Sequence, residues 1–133
     1  MEMSMKDMAA ALAKQPEAAR RTMLGDRLES FYTMPEPERE KAMKMMAEGV
    51  YSLPDDDMRK LVATRTALLA ELPEGKRKAL MMTHMQAIQA FPEPQRMREM
   101  KMVQDAAAAL PEPHKTTIMT ALQSMMGGMG GKM

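Results

Sequence analysis

The sequence predicts an all-α protein built from tandem single-helix repeats, and three observations support this fold class. A proline returns every 19 residues and is followed each time by an acid. Three further columns of the resulting repeat are apolar in every copy. No run of alternating β-branched residues occurs, which argues against a sheet. A strict period of this length is typical of an array of one structural unit.

The recurring prolines mark where each repeat begins. They are Pro16, Pro35, Pro54, Pro73, Pro92 and Pro111. Proline lacks an N–H and disfavours helix in the residue before it, so each one ends the preceding helix. The acid that follows complements the positive end of the next helix. We therefore expect six helices of about 15 residues, with connections so short that neighbours run antiparallel.

The apolar columns predict which side of each helix is buried. With each proline counted as position 1, positions 9, 16 and 19 are apolar in all six copies. These positions lie on one side of a helix at 100° per residue. Position 16 is the predicted centre of the buried side and holds Phe31, Val50, Leu69, Ile88, Ala107 and Met126. Position 8 is apolar in five copies, and Glu99 is the exception.

The two ends of the chain depart from the full repeat. Residues 1–15 resemble a truncated copy and are expected to form a capping half-helix. Residues 127–133 are rich in glycine and methionine and are expected to form a flexible tail. Residues 1–126 then form a single helical-repeat domain. Its helices are expected to assemble as a short solenoid of three αα-hairpins, which we prefer, or as a compact helical bundle.

Composition narrows the classes of function. The chain has 133 residues and a net charge of +1, which argues against a nucleic-acid binder. No apolar stretch is long enough to predict a membrane span, so a cytoplasmic protein is the default expectation. The absence of cysteine excludes disulfides and thiolate metal sites. No pattern of nucleophile and base is visible, so we expect a non-enzymatic protein.

Methionine is the second unusual feature, with 21 of 133 residues against two phenylalanines and no tryptophan. Most methionines lie on or beside the buried columns, where flexible thioethers fill irregular gaps. Five lie off these columns and are predicted to bind a partner: Met45, Met58, Met82, Met97 and Met102. The expected function is a protein–protein interaction, scaffold or accessory-subunit module with a methionine-rich apolar surface. Homo-oligomerisation is a further option.

The alternative function is a buffer or chaperone for Cu(I) or Ag(I). Thioethers and imidazole select such soft ions. On a helix, Met81 and Met85 lie one turn apart with His84 beside them, so these three side chains are the candidate ligands. His84 occupies position 12, on the inner side of its helix, where a histidine hydrogen-bonded in the core is the structural alternative. No other cofactor is expected.

A basic column at position 5 has two possible roles. It holds Arg20, Arg39, Arg77, Arg96 and Lys115, and Met58 interrupts it. Its guanidinium groups can bond the last carbonyls of adjacent helices, or they can line a groove that accepts acidic partners. We favour the structural role. Two more arginines, Arg27 and Arg65, occupy the inner position 12.

Overall fold

The computed structural model describes the backbone of residues 4–130 and the side chains of residues 4–125. This part of the chain is helical throughout, and a short 3-10 turn, Ile88–Ala90, follows the fifth helix. The helices are α1 (Met5–Ala13), α2 (Glu17–Thr33), α3 (Glu36–Tyr51), α4 (Asp55–Glu71), α5 (Glu74–Ala87), α6 (Glu93–Ala108) and α7 (His114–Gly130). The all-α fold class is confirmed, with α1 as the short N-terminal helix.

All six predicted helix breaks are confirmed. Helices α2 to α6 each begin at the acid that directly follows a proline of the 19-residue series. Helix α7 begins at His114, three residues after Pro111. None of the five prolines that precede α2 to α6 supplies a side-chain cap, so the acids of the first turn complement the helix dipole instead. The structure is compatible with a repeat of this length.

Helix α7 extends into the residues that the sequence predicts to form a flexible tail. Its backbone is helical to Gly130, and the flexibility of this end stays a prediction. Glycine costs about 1 kcal/mol per residue relative to alanine in a helix interior, and extension of an existing helix needs no new nucleus. Glycine therefore weakens this last turn without ending it. The remaining residues of the expected tail, 131–133, lie outside the described part of the chain.

The helices pack as a compact bundle, the second of the two expected arrangements, and not as the solenoid of αα-hairpins that we preferred. The most extensive packing joins helices two apart in the chain: α1 with α3, α3 with α5, α2 with α4, and α4 with α6. Helix α4 also contacts α1 and α7, so it lies at the centre. The next pair of helices two apart, α5 and α7, does not follow this pattern. Over the described residues these two helices do not pack closely, because α7 packs on α4 and α6.

Two of the three predicted core columns, positions 9 and 16, agree with the structure except in the last helices. Position 19 is buried at Leu53 and only half-buried in its other described copies, Met34, Leu72, Phe91 and Leu110. Position 16 is buried in each of its five described copies, and the side chain of Met126 lies outside the described residues. Position 9 is buried from Leu24 to Met81, half-buried at Met100 and exposed at Met119. The prediction that Met119 is buried is therefore wrong. It lies on α7, which does not share the close packing between helices two apart.

The arginines of position 5 have the structural role that we favoured. Each guanidinium donates hydrogen bonds to carbonyl oxygens at the end of the preceding helix. These carbonyls have no hydrogen-bond partner within their own helix. Arg20 Nη1 lies 2.7 Å from the Gln15 carbonyl oxygen, and Arg77 Nη1 lies 2.7 Å from that of Leu72. Arg39 reaches three such carbonyls, and Arg96 Nε reaches the Phe91 carbonyl at 3.0 Å.

Two of these arginines also bond a threonine two helices further along. Arg20 Nε lies 2.9 Å from Thr64 Oγ1, and Arg39 Nη1 lies 3.4 Å from Thr83 Oγ1. Both threonines are buried and occupy position 11 of their repeats. The same pair of positions, 5 and 11, is therefore joined by a hydrogen bond between α2 and α4 and again between α3 and α5.

The corresponding positions of α4 and α6 hold Met58 and Met102. These side chains are 0% and 5% exposed and belong to the same core cluster. An apolar pair thus replaces the polar pair of arginine and threonine at the next step of the series. The prediction that Met58 and Met102 bind a partner is wrong, because helix packing covers both of them.

A different arginine compensates for the guanidinium that Met58 lacks. Arg98 Nη1 and Nη2 lie 3.2 and 2.7 Å from the carbonyl oxygens of Tyr51 and Leu53, at the end of α3. Arg98 Nε also bonds Asp55 Oδ1, at the start of α4, at 2.7 Å. The carbonyls at this break are therefore bonded from α6, whereas Arg20, Arg39, Arg77 and Arg96 bond theirs from the very next helix.

Candidate functional site: a methionine groove above a charged core

A groove of about 440 Å³ runs between α5 and α7, where the packing of helices two apart stops. Three methionines and four polar residues line it: Lys78, Met82, Met85, Gln86, Gln89, Ser124 and Met125. Met82 is 45% exposed, which is unusual for a large apolar side chain. Among the described residues of this lining, Lys78 is the one charged side chain and no acid is present. The described lining is thus mainly apolar and weakly basic.

Helical spacing places the α5 side of the groove on one face. Lys78, Met82, Met85 and Gln89 follow one another at intervals of three or four residues. Met81 lies about 100° around the helix axis from Met82 and is buried. The run of two adjacent methionines therefore divides between core and groove.

An interior cavity of about 60 Å³ lies beneath the groove. Helices α2 to α7 all contribute to its wall, which is mainly apolar. Five methionines line it: Met43, Met81, Met85, Met100 and Met125. Two of them, Met85 and Met125, also line the groove. These two side chains are half-buried, and they are where the groove and the cavity adjoin.

A buried carboxylate with three partners forms one side of the cavity. Glu99 on α6 is 3% exposed. Tyr51 Oη on α3 donates to Glu99 Oε1 at 2.5 Å. Arg65 Nη2 on α4 and His84 Nε2 on α5 each lie 2.8 Å from Glu99 Oε2. One carboxylate thus joins four helices, and every buried polar side-chain atom of the described residues has a partner.

The cluster shifts the pKa values of its two acidic groups in opposite directions. Burial by itself would raise the pKa of Glu99, but the charges of His84 and Arg65 and the hydrogen bonds from His84 and Tyr51 hold it well below its usual value. Burial, and then the charge of Glu99, raise the pKa of the Tyr51 phenol. Glu99 is therefore ionised and Tyr51 neutral around pH 7.

We expect the stabilising effect of Glu99 to disappear in acid. Its pKa is lower in the folded chain than the usual 4.5, so the unfolded chain binds more protons below that pH. The contribution of Glu99 is fully present above about pH 5 and is lost as the pH falls towards the folded pKa. Denaturant unfolding of wild type and Glu99→Gln across this range measures it. The difference in stability should shrink with falling pH, and a constant difference would contradict the assignment.

The structure places the five predicted partner-binding methionines in different environments. Met45 and Met97 are exposed, at 46% and 60%, as expected, but neither lines the groove. Met82 is the one predicted residue that does. Its neighbours there, Met85 and Met125, were not assigned to a partner surface, because their spacing along the helix is that of core residues.

The candidate ligands for a soft metal ion all line the interior cavity. Met81 is buried, and Met85 and His84 are half-buried. Nε2 of the His84 imidazole is hydrogen-bonded to Glu99. A metal ion would therefore have to bind the other ring nitrogen, Nδ1. Among the described residues no three histidine or acidic side chains cluster in a way that could hold a metal ion. The Cu(I) or Ag(I) site stays a prediction.

Sequence reasoning missed Glu99 and Tyr51 as parts of one cluster. A signal was present, because Glu99 is the one acid in the otherwise apolar column 8. Arg65 and His84 are basic residues at the inner position 12. Burying an unpaired charge costs free energy, so an acid and two bases on inner positions are expected to pair with one another. Periodicity does not say which copies meet.

Comparison with known proteins leaves the function to be argued from these residues. No family model, no curated protein and no solved structure matches the chain. None of the helices in the described part of the chain has both the length and the apolar character that crossing a membrane requires.

Proposed function

We propose that this protein is a non-enzymatic interaction module whose groove between α5 and α7 binds an amphipathic helix of a partner protein. The supporting observation is that close packing between helices two apart stops at the last pair. Four such pairs pack closely, whereas the fifth, α5 and α7, leaves a methionine-lined groove between its helices. A helix of the partner supplies the apolar side chains that this pair of helices lacks.

The chemistry of the lining supports an apolar and adaptable contact. Met82, Met85 and Met125 have flexible, polarisable side chains that can pack around different apolar residues. Helix-in-groove recognition uses apolar anchors at spacings of three and four residues. Complete burial of an exposed methionine contributes about 1.5–3 kcal/mol before the costs of ordering both partners, and these three side chains contribute less because they are already partly covered.

The charge of the lining supports one orientation of the partner. Lys78 lies at one end of the α5 face, and the described residues of the groove include no acid. An aspartate or glutamate at the corresponding end of the partner's helix forms an ion pair with it. This pair fixes direction more than affinity, because exposed ion pairs contribute about 0–1 kcal/mol.

A display library of amphipathic peptides, three to four helical turns long, tests the proposal with a defined probe. Selection on the wild-type protein should enrich apolar residues at i, i+3, i+4 and i+7. The selected peptides should bind Met82→Lys at least about tenfold more weakly, because a charge replaces an apolar contact in the groove. Isothermal titration calorimetry measures the affinities.

Met97→Lys is the matched control for this substitution. Met97 is more exposed than Met82 and lies outside the groove, so the same chemical change should leave peptide affinity unaltered. Thermal unfolding checks that both variants remain folded. Failure to enrich any peptide, or equal binding to Met82→Lys and wild type, would contradict the groove as the binding site.

A further inference from the structure

We propose that the partner's helix carries an aromatic side chain that passes between Met85 and Met125 and occupies the interior cavity. This inference rests on the proposed function and names the anchor residue of the partner. Its starting point is that Met85 and Met125 belong to the walls of both spaces. The groove and the cavity therefore share two flexible side chains, and these are the side chains that we propose the ring displaces.

The lining of the cavity favours an aromatic ring. Five methionines and two arginines, Arg65 and Arg96, contribute to its wall. Thioether sulfur and guanidinium groups both make favourable contacts with aromatic rings. No phenylalanine or tyrosine lines the cavity, and the imidazole of His84 is the one ring present. The wall is rich in groups that contact aromatic rings, and the described residues place no phenyl or phenol ring against it.

The charges beside the cavity favour a neutral occupant. An anion would meet the carboxylate of Glu99, and a cation would meet Arg65 and Arg96. The hydrogen bonds of Tyr51, Arg65 and His84 already satisfy that carboxylate. A neutral ring leaves these bonds intact.

The size of the cavity requires Met85 and Met125 to move. Its volume of about 60 Å³ is smaller than the cavity of about 150 Å³ that holds a benzene molecule. Rotation of the two thioether side chains joins the cavity to the groove, whose volume is about 440 Å³. Methionine has three rotatable bonds and no branching at Cβ, so its side chain can change rotamer at a small cost in free energy.

Titration of the full chain with indole tests the anchor site without the partner. The methionine methyl groups are labelled with ¹³C and observed by NMR, with assignments from single Met→Leu variants. Indole should shift the methyl signals of Met85 and Met125 saturably. Cyclooctanol, a non-aromatic probe with the same number of non-hydrogen atoms as indole, should bind at least about tenfold more weakly. Equal binding of the two probes, or shifts confined to other methionines, would overturn the proposal.

Substitutions at Val103 separate the cavity from the groove. Val103 lines the cavity and not the groove, so Val103→Phe and the smaller change Val103→Leu fill the space that the ring needs. Both should weaken indole binding, Val103→Phe by at least about tenfold. Met82→Lys, which changes the groove alone, should bind indole as wild type does. If Val103→Phe fails to fold, Val103→Leu still decides, because undiminished indole binding to it would overturn the proposal.

The peptide selection distinguishes failure of the anchor from failure of the groove. Enriched peptides should contain phenylalanine, tyrosine or tryptophan, and its replacement by leucine should weaken binding at least about tenfold. Enrichment of helices without aromatic residues, bound equally by wild type and Val103→Phe, would overturn the anchor and leave the groove supported. Saturable indole binding without any enriched peptide would support the ring site and count against the partner helix.

Discussion

Replacement of Glu99 by alanine is expected to lower the free energy of unfolding by about 3–5 kcal/mol, the range for removing one partner of a buried ion pair. The substitution leaves Arg65, His84 and Tyr51 without the acceptor that they share. It also opens a void at a side chain that is 3% exposed. Chemical denaturation followed by circular dichroism at pH 7 measures the loss.

Glu48→Ala is the matched control for Glu99→Ala. Glu48 is an exposed residue of α3, so the same change there should alter stability by less than about 0.5 kcal/mol. A loss below about 1 kcal/mol for Glu99→Ala would show that its partners find water or other acceptors at little cost. That result would remove the cluster as a main stabilising contact between the helices.

The second large effect is expected at Met58, where alanine should cost about 2–5 kcal/mol, as large-to-small core substitutions do. Met58 is 0% exposed and lies in the core cluster with Met102 and Leu61. Loss of the thioether removes these contacts and leaves a cavity between α4 and α6. Denaturant melts give the change in free energy.

Met97→Ala provides the comparison, because the sequence predicts the same exposed role for Met97 and Met58. Met97 is 60% exposed, and its replacement should change stability by less than about 0.5 kcal/mol. Similar losses for the two substitutions would contradict the burial of Met58. They would also undermine the replacement of an arginine–threonine pair by a methionine pair.

The Glu99 cluster also links α5 to α6. Helix α5 packs on α3, but over the described residues its backbone does not pack closely on α6 or α7. The bond between His84 and Glu99 is therefore a polar link from α5 to α6, in addition to the apolar contacts of the shared core cluster. Hydrogen bonds need defined distances and angles, so this link fixes the position of α5. The side chains of α5 that line the groove are held with it.

The helix boundaries could be predicted because their causes are local. A proline such as Pro54 removes an N–H and restricts the residue before it wherever it occurs. The buried centre of each helix could be predicted for a related reason, since a residue such as Leu69 shares one face with the other apolar columns. The extent of α7 could not be predicted from its glycines, because a weak helix former lowers stability without stopping a helix that already exists.

The candidate site could be predicted only in part. Met82 was expected to be exposed, and it lines the groove. Met58 and Met102 carry the same local pattern but lie in the core. Which off-column methionine is covered depends on the helix two places away. The tertiary packing decides which helix that is. The 19-residue period cannot predict it, because the period gives every copy the same local features.

By itself the sequence determined the helices, their ends and the buried side of each one, because these depend on interactions within a single repeat. The tertiary structure alone decided that helices two apart pack together, that α5 and α7 leave a groove, and that Glu99 meets Tyr51, Arg65 and His84. These partners lie 15 to 48 residues apart in the chain. Their meeting reflects free energies summed over the whole bundle, in which a buried carboxylate is tolerated only where its partners converge.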